Sequence, residues 1–234
     1  MIKKAMILAA GFGKRVHPLT LKCPKPLLRI GNETLLSNTL KLLESFGIKE
    51  VVINVHYLAS QIVDYIKNKK FNLTINIVEE KNEILDTGGG VLNAIKYFSN
   101  DPFLILNPDT VWNLKYIKEL KLMEKKFFEN KNNKCLLLIV NKIKSFDPSF
   151  NGDFSLKNDL ISRKNELDYI YIGAQIIRPG AFKNFENRVF SINKIWDILI
   201  EKEELLGIES DINFLHVSNL EIYKKLKEKS LYIK

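Results

Sequence analysis

Six apolar residues, Ala5 to Ala10, run into the loop Gly11-Phe12-Gly13-Lys14-Arg15, and three prolines follow before the next periodic segment. That succession limits the fold more than any other stretch. The apolar run predicts a buried strand. Pro18, Pro24 and Pro26 keep Val16 to Pro26 irregular, so no helix follows the glycines directly. A strand opening into glycines, with Arg15 and Lys25 flanking the loop, suits a phosphate-rich ligand. Glycines let backbone N–H groups approach phosphate oxygens, and the cations supply charge.

Downstream, strand and helix patterns alternate. Thr34 to Phe46 carries Leu35, Leu36, Leu40, Leu43 and Phe46 at helical spacing, with Gly47 placed to end the helix. Val51–Val55 reads as a second strand, Ala59 to Ile66 as a helix, and Leu73–Val78 as a third strand. Thr87-Gly88-Gly89-Gly90 leads into a helix ending near Phe98, and Phe103–Leu106 is a fourth strand. This alternation predicts an α/β fold, doubly wound and Rossmann-like, with a mixed sheet whose parallel part is the first half. Ligands of such sheets bind beyond the carboxyl ends of the strands. Gly11, Asn54, His56, Glu79 and Asp109 all fall at or just past such ends.

The second half predicts a helix from Lys115 to Phe128 and a strand at Cys135–Asn141. A hairpin turning at Lys157-Asn158-Asp159 follows, then a strand over Tyr169–Ile177 interrupted by Gly173. A helix from Ser191 to Glu204, a strand at Phe214–Val217 and a helix from Leu220 to Glu228 close the chain. With 234 residues and no linker-like stretch, one domain is expected over residues 1–234, with halves 1–115 and 116–234.

Composition narrows the partners. No apolar run reaches the roughly 18 residues of a membrane span. The N-terminal apolar run stops too early for a signal peptide. Cys23 and Cys135 are far apart, so a reducing cytoplasm is expected. The formal charge is +9, but the lysines are spread along the chain among glutamates, which favours a small anionic ligand over nucleic acid.

The glycine loop departs from two common phosphate motifs. A dinucleotide fingerprint needs glycine where Val16 stands and a helix at once, and the pattern G-x-x-x-x-G-K-[ST] is absent. What LAAGFGKRVHPLT followed by CPKPLL resembles is the signature of sugar-1-phosphate nucleotidyltransferases. The similarity extends through Asp86-Thr87-Gly88-Gly89-Gly90 and Leu106-Asn107-Pro108-Asp109 and thins after about residue 115. Within that group the chain is most similar to N-acetylmuramate-1-phosphate uridylyltransferases and small mannose-1-phosphate guanylyltransferases.

The resemblance implies a GT-A-like fold without a C-terminal β-helix, and transfer from a nucleoside triphosphate to a sugar 1-phosphate. UTP with N-acetylmuramate 1-phosphate comes first, in sugar-nucleotide synthesis and peptidoglycan recycling; GTP with mannose 1-phosphate is the alternative. Ala10, Gly11 and Gly13 would hold nucleotide phosphates, Arg15 would clamp the departing β and γ phosphates, and Lys25 would face the sugar phosphate or α-phosphate. Gly88 and Gly89 would leave room for the base, with Asn54 also nucleotide-binding. Asp109 would bind Mg²⁺, or Mn²⁺. Gly173, Asn193 and Asp197 are the candidates for the sugar. A late W-x-D-x-G-T segment supplies a second metal carboxylate in the family. Here it reads Phe214-Leu215-His216-Val217-Ser218-Asn219, so His216 stands where Asp is expected. His216 and Ser218 motivate an alternative of another class, a non-catalytic sugar-nucleotide-binding protein; Arg15, Lys25 and Asp109 argue for catalysis. With no long repeat domain, monomer or homodimer is expected.

Chemistry agrees with that implication. A sugar phosphate has a second pKa of roughly 6, so it is already a nucleophile at neutral pH. What remains is to bring two anions together and stabilise the leaving charge, which cations, N–H donors and a metal ion can do without a dedicated base.

Overall fold

The computed structural model describes residues 1–183, 185–186 and 188–231. Its strands are β1 (Lys4–Leu8), β2 (Arg29–Ile30), β3 (Glu33–Thr34), β4 (Glu50–Val55), β5 (Thr74–Glu79), β6 (Phe103–Leu106), β7 (Cys135–Asn141), β8 (Ser155–Lys157), β9 (Leu160–Ser162), β10 (Tyr169–Ile177) and β11 (Leu205–Glu209). Its helices are α1 (Leu35–Phe46), α2 (Ala59–Asn68), α3 (Asp86–Ala94), α4 (Tyr116–Phe128), α5 (Asn193–Glu201) and α6 (Leu220–Leu231).

Nine strands form one sheet in the order β5-β4-β1-β6-β10-β7-β11-β9-β8, while β2 and β3 pair separately. The first four strands of that order are parallel, and β10 runs antiparallel to both its neighbours, β6 and β7. The mixed doubly wound sheet is therefore present, with its main parallel block in the first half, while β11 also runs parallel to β7 in the second. Strand alternation divides the core into two layers. Ala5 and Ile7 of β1 pack on one side with residues of α1, α2 and α4, and Met6 packs on the other with residues of α3 and α5. β6 and β7 alternate in the same way.

Local chemistry sets several boundaries. Thr34 caps α1 by accepting the Ser37 N–H, and Gly47 ends that helix in the left-handed region at φ 101°. The β8–β9 turn places Asn158 and Asp159 at φ 50° and 64°, which is the primed geometry that asparagine and aspartate tolerate in two-residue hairpins. Val16 to Pro26 is irregular, formed by short 3₁₀ turns at Lys14–Val16, Leu19–Leu21 and Lys25–Leu27.

Four details differ from the sequence reading. The glycines of Thr87-Gly88-Gly89-Gly90 lie inside α3, not in a loop before it. The helix expected over Ser191 to Glu204 is α5, which starts at Asn193 and ends at Glu201. Glu203 turns the chain at φ 54°, and β11 follows as a strand pairing with β7. Phe214–Val217 is no regular strand but a segment held by isolated bridges, Ser145 to Phe214 and Thr110 to His216. Finally, β2 and β3 form a small hairpin that the sequence reading did not anticipate.

Candidate active site

The site lies beyond the carboxyl ends of β1, β4 and β6, in a cleft of about 370 Å³. Its first wall is the loop after β1. Gly13 sits at φ 65°, and a Cβ there would meet Thr20 Cγ2 at 3.0 Å and Lys25 Cβ at 3.1 Å. Glycine thus suits the position for its left-handed conformation, and any side chain there would be tightly placed. Its carbonyl accepts from Val16 N–H and Thr20 Oγ1, which folds the loop back toward Lys25. Gly11 has nothing near its missing side chain and is open. Phe12 packs on His56 and Tyr57, with ring centroids 5.6 and 5.5 Å away, and so fixes the loop to the β4–α2 turn. Arg15 is exposed and has no ion-pair partner among the described residues.

Asn54 supports this wall from below. Its Oδ1 accepts the Ala9 N–H at 3.0 Å and its Nδ2 donates to Glu80 Oε1 at 2.7 Å. The other Glu80 oxygen accepts the Leu85 N–H at 2.8 Å. Asn54 does line the cleft, but Oδ1 and an amide hydrogen hold protein groups, so its visible work is to brace the loop. Glu80, one of two adjacent glutamates, gave no sequence signal for that role.

The opposite wall carries Asp109. The Asn107 N–H donates to Gly173 O, and Trp112 Nε1 donates to Asn107 O, which fixes the segment after β6. The Val217 N–H donates to Asp109 O and the Val111 N–H to Leu215 O, so the 214–217 segment is laid alongside. These bonds bring three distant side chains together. Lys25 Nζ is 2.6 Å from Asp109 Oδ2, and His216 Nε2 is 3.2 Å from the same oxygen. Burial opposes ionisation of Asp109, but the charges of Lys25 and His216 and their hydrogen bonds hold its carboxyl well below the usual carboxylate range. Asp109 Oδ1 and His216 Nδ1 are buried with no hydrogen-bond partner among the described residues. A buried carboxylate oxygen without a donor fits a cation ligand. Among the described residues no three His, Cys, Asp or Glu side chains form a ready cage. A hard ion held by one or two protein ligands plus substrate phosphates and water suits that arrangement.

The other candidates lie elsewhere. Gly88 and Gly89 N–H both donate to Phe190 O, and a Cβ on them would meet the Phe190 ring at 2.4 Å and Arg188 O at 1.9 Å. These glycines make room for the 188–192 segment, not for a base; the α3 positions lining the cleft are Asp86 and Thr87. Replacing Gly89 with alanine should destabilise the protein by about 1–3 kcal/mol or more through overpacking, read as a lower denaturant midpoint. An unchanged midpoint would show that this segment can leave α3 without cost. Gly173, at φ 90°, marks the bulge in β10 and is filled by Asn107 and Thr110, so protein accounts for its missing side chain. Asn193 and Asp197 point at Arg163, whose Nη2 and Nε donate to them, and the guanidinium lies over Phe154. Both are occupied outside the cleft. Trp196 is core, with Nε1 donating to Gln175.

A family model described as Nucleotidyl transferase matches residues 4–148, which covers both walls of the cleft. The chain belongs to that family. Among similar proteins, an N-acetylmuramate alpha-1-phosphate uridylyltransferase of Neisseria meningitidis is 32% identical over 189 residues, 78% of each chain. Another, from Caulobacter vibrioides, is 26% identical over 224 residues, 93% of this chain and 92% of that one. A probable mannose-1-phosphate guanylyltransferase of rice (Oryza sativa) is 29% identical over 203 residues, 82% of this chain; the match spans 54% of the rice protein. The fold matches HddC from Yersinia pseudotuberculosis complexed with GMP-PN, with a TM-score of 0.76 at 22% identity, covering 97% of this chain and 99% of that one. No helix of the described residues is long and apolar enough to cross a membrane.

Proposed function

We propose that this nucleotidyltransferase joins UTP to N-acetylmuramate 1-phosphate, releasing pyrophosphate. The observation that carries the transfer chemistry is the meeting of the glycine loop, Lys25 and Asp109 in one cleft. In this reading the loop N–H groups near Gly11 and Gly13 and the Arg15 guanidinium receive the triphosphate. Lys25 leaves Asp109 to neutralise the sugar phosphate or the α-phosphate as the phosphate oxygen attacks phosphorus in line. The chain's work is to position and screen the two anions. Asp109 and His216 are the residues that would hold a divalent ion, which when bound supplies positive charge for phosphoryl oxygens. The uridylyltransferase choice is supported by near full-length similarity to the Caulobacter protein, where the rice guanylyltransferase is matched over about half its length.

GTP with mannose 1-phosphate is the second reading, favoured by the 29% identity to the rice protein. Pyrophosphate release should be measured across four nucleoside triphosphates and several sugar 1-phosphates. Turnover confined to UTP and N-acetylmuramate 1-phosphate is the expected result, and turnover confined to GTP replaces it by the second reading. Tight sugar-nucleotide binding without turnover in Mg²⁺ or Mn²⁺ would reject catalysis altogether.

A further inference from the structure

We propose that Glu80 is a positioning residue for the nucleoside triphosphate, a joint that fixes the glycine loop to the cleft wall at residues 84–87. The inference rests on the loop being the triphosphate holder, as read above, and adds what sets the loop's place relative to the start of α3.

Glu80 follows β5 and is 3% exposed. Its Oε1 accepts from Asn54 Nδ2 at 2.7 Å, and Asn54 Oδ1 accepts the Ala9 N–H at 3.0 Å, where the loop begins. Its Oε2 accepts the Leu85 N–H at 2.8 Å, at the entry to α3. Its carbonyl accepts from His56 Nδ1 at 2.5 Å, and the His56 ring meets Phe12 edge-on inside the loop. Its N–H donates to Val55 O at the end of β4. One buried residue thus reaches the loop at two points, Ala9 and Phe12, and the far side of the cleft between Ile84 and Asp86. The helix passes close over this bond. A Cβ on Gly90 would stand 2.7 Å from Asn54 Nδ2 and 2.8 Å from Glu80 Oε1.

The polarity of the chain of bonds is set by its ends. Ala9 and Leu85 offer backbone donors, so the two side chains between them must present an acceptor at each end and share one donor. Asn54 with Glu80 does this. Glu80→Gln alone cannot: its NH₂ faces Leu85 or Asn54 Nδ2, and turning the Asn54 amide moves the clash to Ala9. Asn54→Asp alone sets two carboxylates against each other. The double variant, Asn54→Asp with Glu80→Gln, exchanges amide and carboxylate and satisfies every bond again. A buried donor facing a donor must move, and the loop moves with it.

The test is UTP affinity by calorimetry, in Mg²⁺ without sugar phosphate, for wild type, both single variants and the double variant, below each melting midpoint. Each single variant should bind UTP about tenfold more weakly or worse, within the roughly 10²-fold that a misplacement of about 1 Å can cost. The double variant should return to within about threefold of wild type, because the two changes act on one bond. A merely structural Glu80 would lower the midpoints of the single variants and leave their UTP affinity unchanged, and that result overturns the proposal. So does a double variant that binds UTP no better than Asn54→Asp alone. If Glu80→Gln does not fold, Asn54→Asp and the double variant carry the same comparison. If wild type binds GTP in place of UTP, the affinities are read with GTP. The transfer reading fails separately, when wild type forms no sugar nucleotide with any triphosphate.

Discussion

Lys25→Ala should lower kcat/KM by about 10²-fold or more, the scale of removing one preorganised donor from a developing charge. The side chain is placed for this. Prolines on either side set its 3₁₀ turn, and its stem packs against the glycine loop, 3.1 Å from where a Cβ at position 13 would stand. Its ammonium lies 2.6 Å from Asp109 in a largely buried pair. A lysine held between loop and carboxylate reaches the space where two phosphates must meet, and no other Lys or Arg of the described residues is ion-paired to Asp109. The loss should fall on turnover more than on nucleotide affinity, because Arg15 and the loop N–H groups remain. Lys25→Arg should rescue only part of it, since a planar fork does not replace a compact ammonium. A loss below threefold in Lys25→Ala would remove Lys25 from the reacting phosphates.

The same residues show where sequence reading reaches and where it stops. β1, β4, β6 and β7 are short apolar runs with clear punctuation, and their ends lie within two residues of expectation. The cleft's first wall is contiguous in sequence, so Gly11, Gly13, Arg15 and Lys25 could be named together. Lys25 and Asp109 are 84 residues apart in the chain; strand-end logic in a parallel sheet places Asp109 beside the glycine loop, but nothing in the sequence paired it with Lys25. The glycines of α3 were harder. Three consecutive glycines argue against a helix interior, and the reason for them, Arg188 O and the Phe190 ring, lies some hundred residues later. Arg163 likewise claims Asn193 and Asp197 from a separate strand end, which no spacing reveals. β11 was hidden because the apolar spacing of α5 runs on past Glu201, and only the left-handed Glu203 breaks it.

Asp109→Asn should raise the divalent ion concentration for half-maximal rate by about tenfold or more, taking the cost of an outer-sphere loss as a floor. The substitution keeps shape and removes charge. Its amide oxygen can still accept from Lys25, so the packed segment of residues 107–112 keeps its backbone bonds to Gly173 and to the 214–217 segment. Folding stability should then drop by roughly 1–3 kcal/mol, the cost of leaving part of a charge-assisted bond unmade. The metal titration should move far more than the melting midpoint. That split separates a ligand from a structural partner, because loss of structure alone would lower both activity and midpoint without shifting the titration. Acidity gives a second handle. Lys25 and His216 hold the Asp109 carboxyl well below its ordinary value, so it stays ionised through mildly acidic pH. In Lys25→Ala the carboxyl loses the main charge that lowers it and its titration moves upward, so the metal requirement should begin to climb at a higher pH than in wild type. A titration unchanged in Asp109→Asn would take the ion away from Asp109.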